Sequence, residues 1–281
     1  MNKPKLSRSV NCFGIKWIDK EKHLYKITQE EEFLNKMFKD MKESGIDSVE
    51  LSTLGPWNRQ EELENYPYVE HAVELIRDHG LDFNSVHLPF SCTYWNFTSL
   101  DETERKLSVE SVKRAVSHYE KDMPNLFVMH PDNRPKDESE RAPRMEQLIK
   151  SLTEICEFAP RKICLENMTN EGMLYISSEA KIILDAVPKL YMTLDINHPL
   201  RQMPESYILD IGSRIKNVHV SDRDYDKECH YLPGKGVLDW DKIMSALCSI
   251  GYDGMLTYEV SKDIPSAEIK QNYEWLMTKW K

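Results

Sequence analysis

Thr193-Leu194-Asp195-Ile196-Asn197-His198-Pro199 decides how this chain is read. The apolar run from Leu190 to Leu194 ends in a carboxylate, an imidazole follows three residues later, and a proline then stops regular structure. A short apolar run ending in ligand-type residues reads as a buried strand that delivers chemistry at its C-terminal end. One Asp-x-x-His carries little by itself, because turns are rich in Asp and helices are often capped by it. The pattern recurs in Val86-His87-Leu88-Pro89, Val128-Met129-His130-Pro131, Cys164-Leu165-Glu166-Asn167, Val218-His219-Val220-Ser221-Asp222 and Thr257-Tyr258-Glu259. Six runs that each end in His, Asp or Glu suggest one shared site.

Outward from that stretch the chain keeps one rhythm. Ser9 to Ile15 reads as a first strand, and a helix follows over 30–43, with Phe33, Leu34, Met37, Phe38 and Met41 at helical spacing. Gly45 breaks it, and Ile46 to Leu51 alternates as a second strand. A helix over Tyr68–His79 is closed by Gly80 at a left-handed cap position, and Leu81 to Leu88 is the third strand. Ser99 as N-cap and Glu102 at N3 form a capping box that opens a helix through Tyr119, and Leu126 to Met129 is the fourth strand. The second half continues with a helix over Arg144–Phe158, a strand over Ile163–Leu165, a helix over Ser178–Ala186 and the strand Leu190–Leu194. A short helix over Pro204–Leu209, a strand over Ile215–Val220, a helix over Asp239–Ile250, a strand over Met255–Tyr258 and a last helix over Ser266–Trp280 complete it. The strands are apolar rather than strictly alternating, as parallel strands covered on both faces are. Eight strand-then-helix units predict an α/β protein, a (β/α)8 TIM barrel occupying residues 1–281 as one domain. An open doubly wound sheet would carry a glycine-rich phosphate turn after its first strand, and Asn11-Cys12-Phe13-Gly14 is not one.

With 281 residues and 40% apolar content the chain can bury a large core, and no apolar stretch is long enough to span a membrane. Met1-Asn2-Lys3-Pro4-Lys5 has no apolar run behind it, so no secretory leader is expected. Six cysteines lie scattered without CxxC spacing, several inside apolar runs, which predicts free thiols and a cytoplasmic setting. The net charge of −10 and the absence of a dense Lys/Arg block argue against nucleic acid as a partner.

In a parallel barrel all strand C-termini open on one face, so His87, His130, Glu166, Asp195, His198, His219 and Glu259 are expected to converge. Carboxylates mixed with imidazoles suit Mn, Co, Zn or Fe better than Ca, which takes oxygen ligands. Carboxylates packed together repel, and a divalent cation resolves the conflict. Each residue also has an ordinary explanation: a lone His at a strand end is often structural, and Glu166 or Asp195 can cap a helix. Glu259, between Tyr258 and Val260, resists that explanation, because a carboxylate is rarely buried alone. A second cluster runs from Ser221-Asp222-Arg223-Asp224 to Glu228-Cys229-His230-Tyr231-Leu232-Pro233-Gly234-Lys235-Gly236. It is either an ordinary Pro-Gly turn or a loop whose glycine amides approach an anion that Arg223 and Lys235 neutralise. Trp17, Trp57 and Trp95 follow the first three strands and either wall a sugar pocket or simply cover the barrel mouth.

These motifs together resemble the xylose isomerase-like TIM-barrel superfamily of sugar and sugar-phosphate isomerases and epimerases, which includes an apurinic endonuclease branch. The resemblance runs from Gly45-Ile46-Asp47-Ser48-Val49-Glu50-Leu51 through Tyr258-Glu259. It implies one divalent ion, Mn, Co or Zn, on Glu166, Asp195, His219 and Glu259, with the two glutamates exchanging a proton through an enediolate. It implies substrate contacts from His198, with His87, His130, Arg223, His230, Lys235, Trp17 and Trp57 as further candidates. The ketose 3-epimerases of the group carry an arginine six residues after the metal histidine, where this chain has Tyr225. The endonuclease branch uses further zinc ligands at positions matching His87, His130 and His198, and an Asp-x-His pair that here is Glu228-Cys229-His230.

The resemblance thus implies a metal-dependent sugar or sugar-phosphate isomerase or epimerase acting on a small carbohydrate. The alternatives are a zinc phosphodiesterase and a lyase or dehydratase on a keto-sugar or inositol derivative; a carbohydrate-binding barrel without catalysis is the non-enzymatic one. Members of the group are monomers, dimers and tetramers, so a homo-oligomer is compatible with it.

Overall fold

A strand buried at every position, as Ser48–Ser52 is, needs cover on both faces, and the chain supplies it by alternating strands with helices. The computed structural model describes residues 3–12, 14–19, 24–28, 30–53, 59–89, 95–131, 137–169, 172–198 and 201–281. In chain order the elements are β1 (Lys5–Asn11), β2 (Gly14–Asp19), β3 (Leu24–Thr28), α1 (Glu31–Glu43), β4 (Ser48–Ser52), α2 (Arg59–Asp78), β5 (Asp82–His87), α3 (Glu102–Ser117) and β6 (Leu126–Met129). They continue with α4 (Glu138–Phe158), β7 (Lys162–Glu166), α5 (Ser177–Ala186), β8 (Leu190–Asp195), α6 (Pro204–Ile211), β9 (Ile215–Val220), α7 (Trp240–Ser249), β10 (Met255–Tyr258) and α8 (Ser266–Met277). Eight parallel strands close in the order β1-β4-β5-β6-β7-β8-β9-β10 and back to β1, which is the expected (β/α)8 barrel. Among the described residues no helix is long and apolar enough to cross a membrane.

Local rules explain most elements. α1 buries Leu34, Met37, Phe38 and Met41, which fall on one helical stripe. It ends where Gly45 takes φ of 75° and the Ile46 N–H donates back to Met41 O at 2.9 Å, a left-handed helix closure. The main apolar core lies between barrel and helices. Inside the barrel the apolar contribution is a small cluster of Leu126, Val128 and Cys164. The other inward positions toward the mouth are polar, among them Ser85, His87, Asn217, His219 and Thr257.

Several expected boundaries move. The first strand is Lys5–Asn11, fixed by pairing with β10 and β4, and Gly14-Ile15 belongs instead to an unanticipated antiparallel hairpin, β2–β3. α2 and α4 begin earlier than expected, at Arg59 and Glu138, and hold Pro67 and Pro143 inside them. The capping box is corrected: Asp101, not Ser99, is the N-cap of α3, accepting from Thr103 N at 2.8 Å and Glu104 N at 3.3 Å. Ser99 instead bonds the Glu104 carboxylate, and Glu102 grips Arg105 through both oxygens at 2.8 Å. Asp101→Ala should therefore cost about 1 kcal/mol in urea unfolding, the usual loss of a side-chain cap.

Candidate metal centre

The strand ends bring the expected residues to one place. Glu166 and Asp195 are the last residues of β7 and β8, His219 stands next to last in β9 opposite Asp195, and Glu259 directly follows β10. Donor atoms of Glu166, Asp195, His219 and Glu259 all lie within 4.8 Å of one another. His219 Nδ1 is 2.9 Å from Glu259 Oε2, 3.3 Å from Glu166 Oε1 and 3.9 Å from Asp195 Oδ2. Glu166, Asp195 and His219 are fully buried, whereas Glu259 keeps 33% of its side chain exposed and faces a cavity. That cavity, about 540 Å³, is also lined by His230, Asn11, Glu30, Phe33 and Lys262, and its size suits a small ligand.

The surroundings hold these groups in place. Asn167 spans β7 and β8, accepting from Asp195 N at 2.8 Å and donating to Asp195 O at 3.0 Å. The Asn197 N–H donates to Asp195 Oδ1 at 2.6 Å, an Asx turn that leaves Oδ2 facing the cluster. Arg8 of β1, fully buried, donates to Ser266 Oγ and to the carbonyls of Ile264 and Lys262, anchoring the loop that follows Glu259.

A second group adjoins the first through Glu166. Its Oε2 lies 3.0 Å from His87 Nε2 and 3.3 Å from His130 Nε2. His87 Nδ1–H donates to Leu88 O and His198 Nδ1–H to Asn167 O, so each ring turns Nε2 toward the carboxylates. His198 Nε2 stands 3.5 Å from Asp195 Oδ2 and 3.7 Å from Glu228 Oε1. Glu228 pairs with His230 at 2.6 Å, and His230, at a left-handed φ of 50°, donates through Nδ1 to Glu259 O.

Charge crowding is visible in the ionisation. Burial pushes the Glu166 carboxyl up, but His219 and His130 outweigh it and hold Glu166 well below the usual carboxylate range. Burial likewise raises Glu259, yet His219 brings it down to about 2. Asp195, where burial wins over His198, is pushed up to about 6. His219 is depressed by burial but raised well above its ordinary value by Glu50, Glu166 and Glu259. Asp195 Oδ2 and His219 Nδ1 are buried without a hydrogen-bond partner, and both belong to the four-residue cluster. Oriented carboxylate and imidazole donors with unspent lone pairs fit a divalent cation of the Mn, Co or Zn type.

In the loop after β9 the Asp222 carboxylate organises the turn. Asp222 Oδ1 accepts from Arg223 N and Leu238 N, and Oδ2 from Gly234 N at 2.8 Å and Trp240 Nε1 at 2.9 Å. A Cβ on Gly236 would stand 2.4 Å from Asp222 Oδ1, so glycine there serves this approach rather than an incoming anion. Arg223 is buried with Nη1 on the carbonyls of Asp224 and Tyr225, Lys235 is exposed on the turn, and Tyr225 is 84% exposed. Trp57 and the side chain of Trp17 lie outside the described residues, and Trp95 is buried beside Phe97. Sequence reasoning passed over Glu50, a fully buried carboxylate on β4 whose Oε1 lies 2.9 Å from His219 Nε2. Its signal was the one used for Glu259, an acid inside an apolar strand.

Fold and site together define a (β/α)8 barrel with a carboxylate and imidazole centre at its C-terminal mouth. The chain belongs to the xylose isomerase-like TIM barrel family, whose model matches residues 38–279. It is 34% identical over 205 residues to an uncharacterized protein of Methanocaldococcus jannaschii, MJ1311, covering 67% of this chain and 69% of that protein. It is 28% identical over 124 residues to the fructoselysine 3-epimerase of Escherichia coli O157:H7, covering 41% of this chain and 45% of the enzyme. In structure it is similar to a D-tagatose 3-epimerase-like protein, with a TM-score of 0.73, 22% identity and 98% of both chains covered. It is also similar to the D-psicose 3-epimerase of Clostridium cellulolyticum H10, with a TM-score of 0.72, 16% identity and 99% of both chains covered.

Two outcomes are expected. Asp222→Ala should cost at least about 3 kcal/mol in chemical unfolding, because four donors lose a charged acceptor. His198 is depressed by burial, but Asp195 and Glu228 raise it from 6.5 to about 10, so its charge stabilises the fold below 6.5 and that contribution fades as pH rises through about 10. In chelator-treated protein the melting temperature of the wild type should therefore fall more steeply over that range than that of His198→Gln.

Proposed function

We propose that the chain is a divalent-metal-dependent sugar isomerase or epimerase acting on a keto-sugar. The observation that carries this reading is the cluster of two glutamates with Asp195 and His219, one glutamate buried and the other facing the cavity. The names of its relatives and structural neighbours, among them 3-epimerases of fructoselysine and D-psicose, point the same way. Glu166, Asp195, His219 and Glu259 would hold Mn, Co or Zn, which when bound supplies Lewis-acid polarisation of the substrate carbonyl. The protein's own part is proton transfer and orientation. Of Glu166 and Glu259, one takes the proton from the carbon beside the carbonyl, giving an enediolate, and the other returns a proton to it. His198, fixed through Nδ1, binds a substrate hydroxyl. His219 and His130 keep Glu166 ionised, His87 holds its Oε2 from the other side, and the exposed edge of Glu259 meets substrate in the cavity. Arg223 spends Nη1 on its own loop and Tyr225 points to solvent, which sets the chain apart from ketose 3-epimerases that place an arginine there. Every described cysteine is a free thiol, which fits a reducing, cytoplasmic setting.

A second reading, a zinc phosphodiesterase, is favoured by one observation: His87, His130 and Glu166 form a second group with metal-ligand spacing, while Glu228, paired with His230, stands 3.7 Å from His198. Metal content separates the two. Elemental mass spectrometry should find about one Mn, Co or Zn per chain on the isomerase reading, whereas a multi-zinc content with nicking of abasic DNA would replace it. On a keto-sugar panel including D-tagatose, D-psicose and fructoselysine, chelation should abolish solvent-deuterium incorporation at the substrate carbon. Glu166→Gln and Glu259→Gln should each lower it by at least about 10²-fold. Exchange that persists in both variants would exclude the shuttle.

A further inference from the structure

Glu50 stands on β4, between β1 and β5, whereas His219 stands on β9, between β8 and β10. Their contact therefore crosses the barrel interior rather than joining neighbouring strands. Both residues are fully buried, and Glu50 Oε1 lies 2.9 Å from His219 Nε2. The other oxygen, Oε2, accepts from Ser85 Oγ of β5 at 2.8 Å and from Asn217 Nδ2 of β9 at 3.0 Å. Asn217 is itself fixed, since its Oδ1 accepts from Thr257 Oγ1 of β10 at 2.9 Å. Glu50 is thus clamped from two sides and presents one oxygen to one imidazole nitrogen.

His219 has carboxylates on both ring nitrogens: Glu50 on Nε2, and Glu259, Glu166 and Asp195 on Nδ1. The Nδ1 side belongs to the cluster with metal-ligand spacing, and Glu50 does not. Oε1 of Glu50 and Nε2 of His219 are close without being aligned as a hydrogen bond, and no other group satisfies them. A buried carboxylate without a role is costly, and a ligating histidine characteristically turns its second nitrogen to a carboxylate that sets tautomer and ring orientation.

We infer that Glu50 is the positioning residue of the metal centre, holding His219 with its proton on Nε2 so that Nδ1 is free to ligate. The inference rests on the metal-dependent reading above. Glu50 touches neither substrate nor ion; it acts through His219 by orientation and by the negative charge that it places behind the ring.

The test is Mn²⁺ affinity, read by electron paramagnetic resonance titration of the chelator-stripped full chain, for wild type, Glu50→Gln and the pair in a His219→Ala background. Glu50→Gln should weaken Mn²⁺ binding about 10–100-fold, the usual effect of losing such a partner, with the far-ultraviolet circular dichroism unchanged. In the His219→Ala background the same change should have almost no further effect. Equal affinity of wild type and Glu50→Gln, or an equal loss with and without His219, would overturn the inference. If Glu50→Gln does not fold, Ser85→Ala, which removes only one clamp, takes its place and should weaken binding in the same direction; unchanged affinity there overturns it. Wild-type protein that takes up no Mn²⁺, Co²⁺ or Zn²⁺ defeats the metal reading itself, a result distinct from an ion that binds regardless of residue 50.

Discussion

The arrangement turns on a crowding of negative charge. Glu50, Glu166, Asp195 and Glu259 all approach the single imidazole of His219, and three of the four are fully buried. Buried carboxylates repel and are poorly solvated, so each needs a partner fixed in advance. The surrounding structure supplies them in layers. Asn167 and Asn197 pin Asp195, His87 and His130 flank Glu166, and Ser85 and Asn217 clamp Glu50. Arg8 anchors the loop beyond Glu259 from the other side of the closure between β1 and β10. The same crowding that burdens folding gathers the donor atoms from which the proposed divalent-cation site would be built.

Much of this was legible in the residue order. β9 and β10 fall on the expected Ile215–Val220 and Met255–Tyr258. The gathering of His87, His130, Glu166, Asp195, His219 and Glu259 followed from one topological rule, that parallel barrel strands end on a common face. What escaped depends on partners distant in sequence. Glu50 stood in a strand read only as alternating, and barrel closure is what brings it to a residue on β9. Asp222 looked like one acid among several in a loop, yet it collects four donors from residues 223 to 240. The glycines beside it read equally well as an anion cradle, since nothing local tells whether an amide will meet a ligand or the chain's own carboxylate.

The hairpin β2–β3 and the displaced cap of α3 show the limit of local rules from another side. Phe13-Gly14-Ile15 continued the apolar run of the first strand, but β1 is set by its two neighbours and is complete by Asn11. Ser99 and Glu102 satisfied the capping-box spacing, but Asp101 is closer to the helix start and a carboxylate meets the free amides directly. In both places a valid pattern lost to a competitor two or three residues away.

The separation of the two interiors has a further meaning. Cohesion resides in the apolar layer between strands and helices, while the space within the strands toward the mouth is given over to hydroxyls, amides, imidazoles and carboxylates. A change of residue in that inner space alters electrostatics and shape without thinning the layer that keeps the chain folded. The barrel can therefore be re-lettered at its mouth over evolutionary time, one chemistry giving way to another, while its outer masonry stays the same.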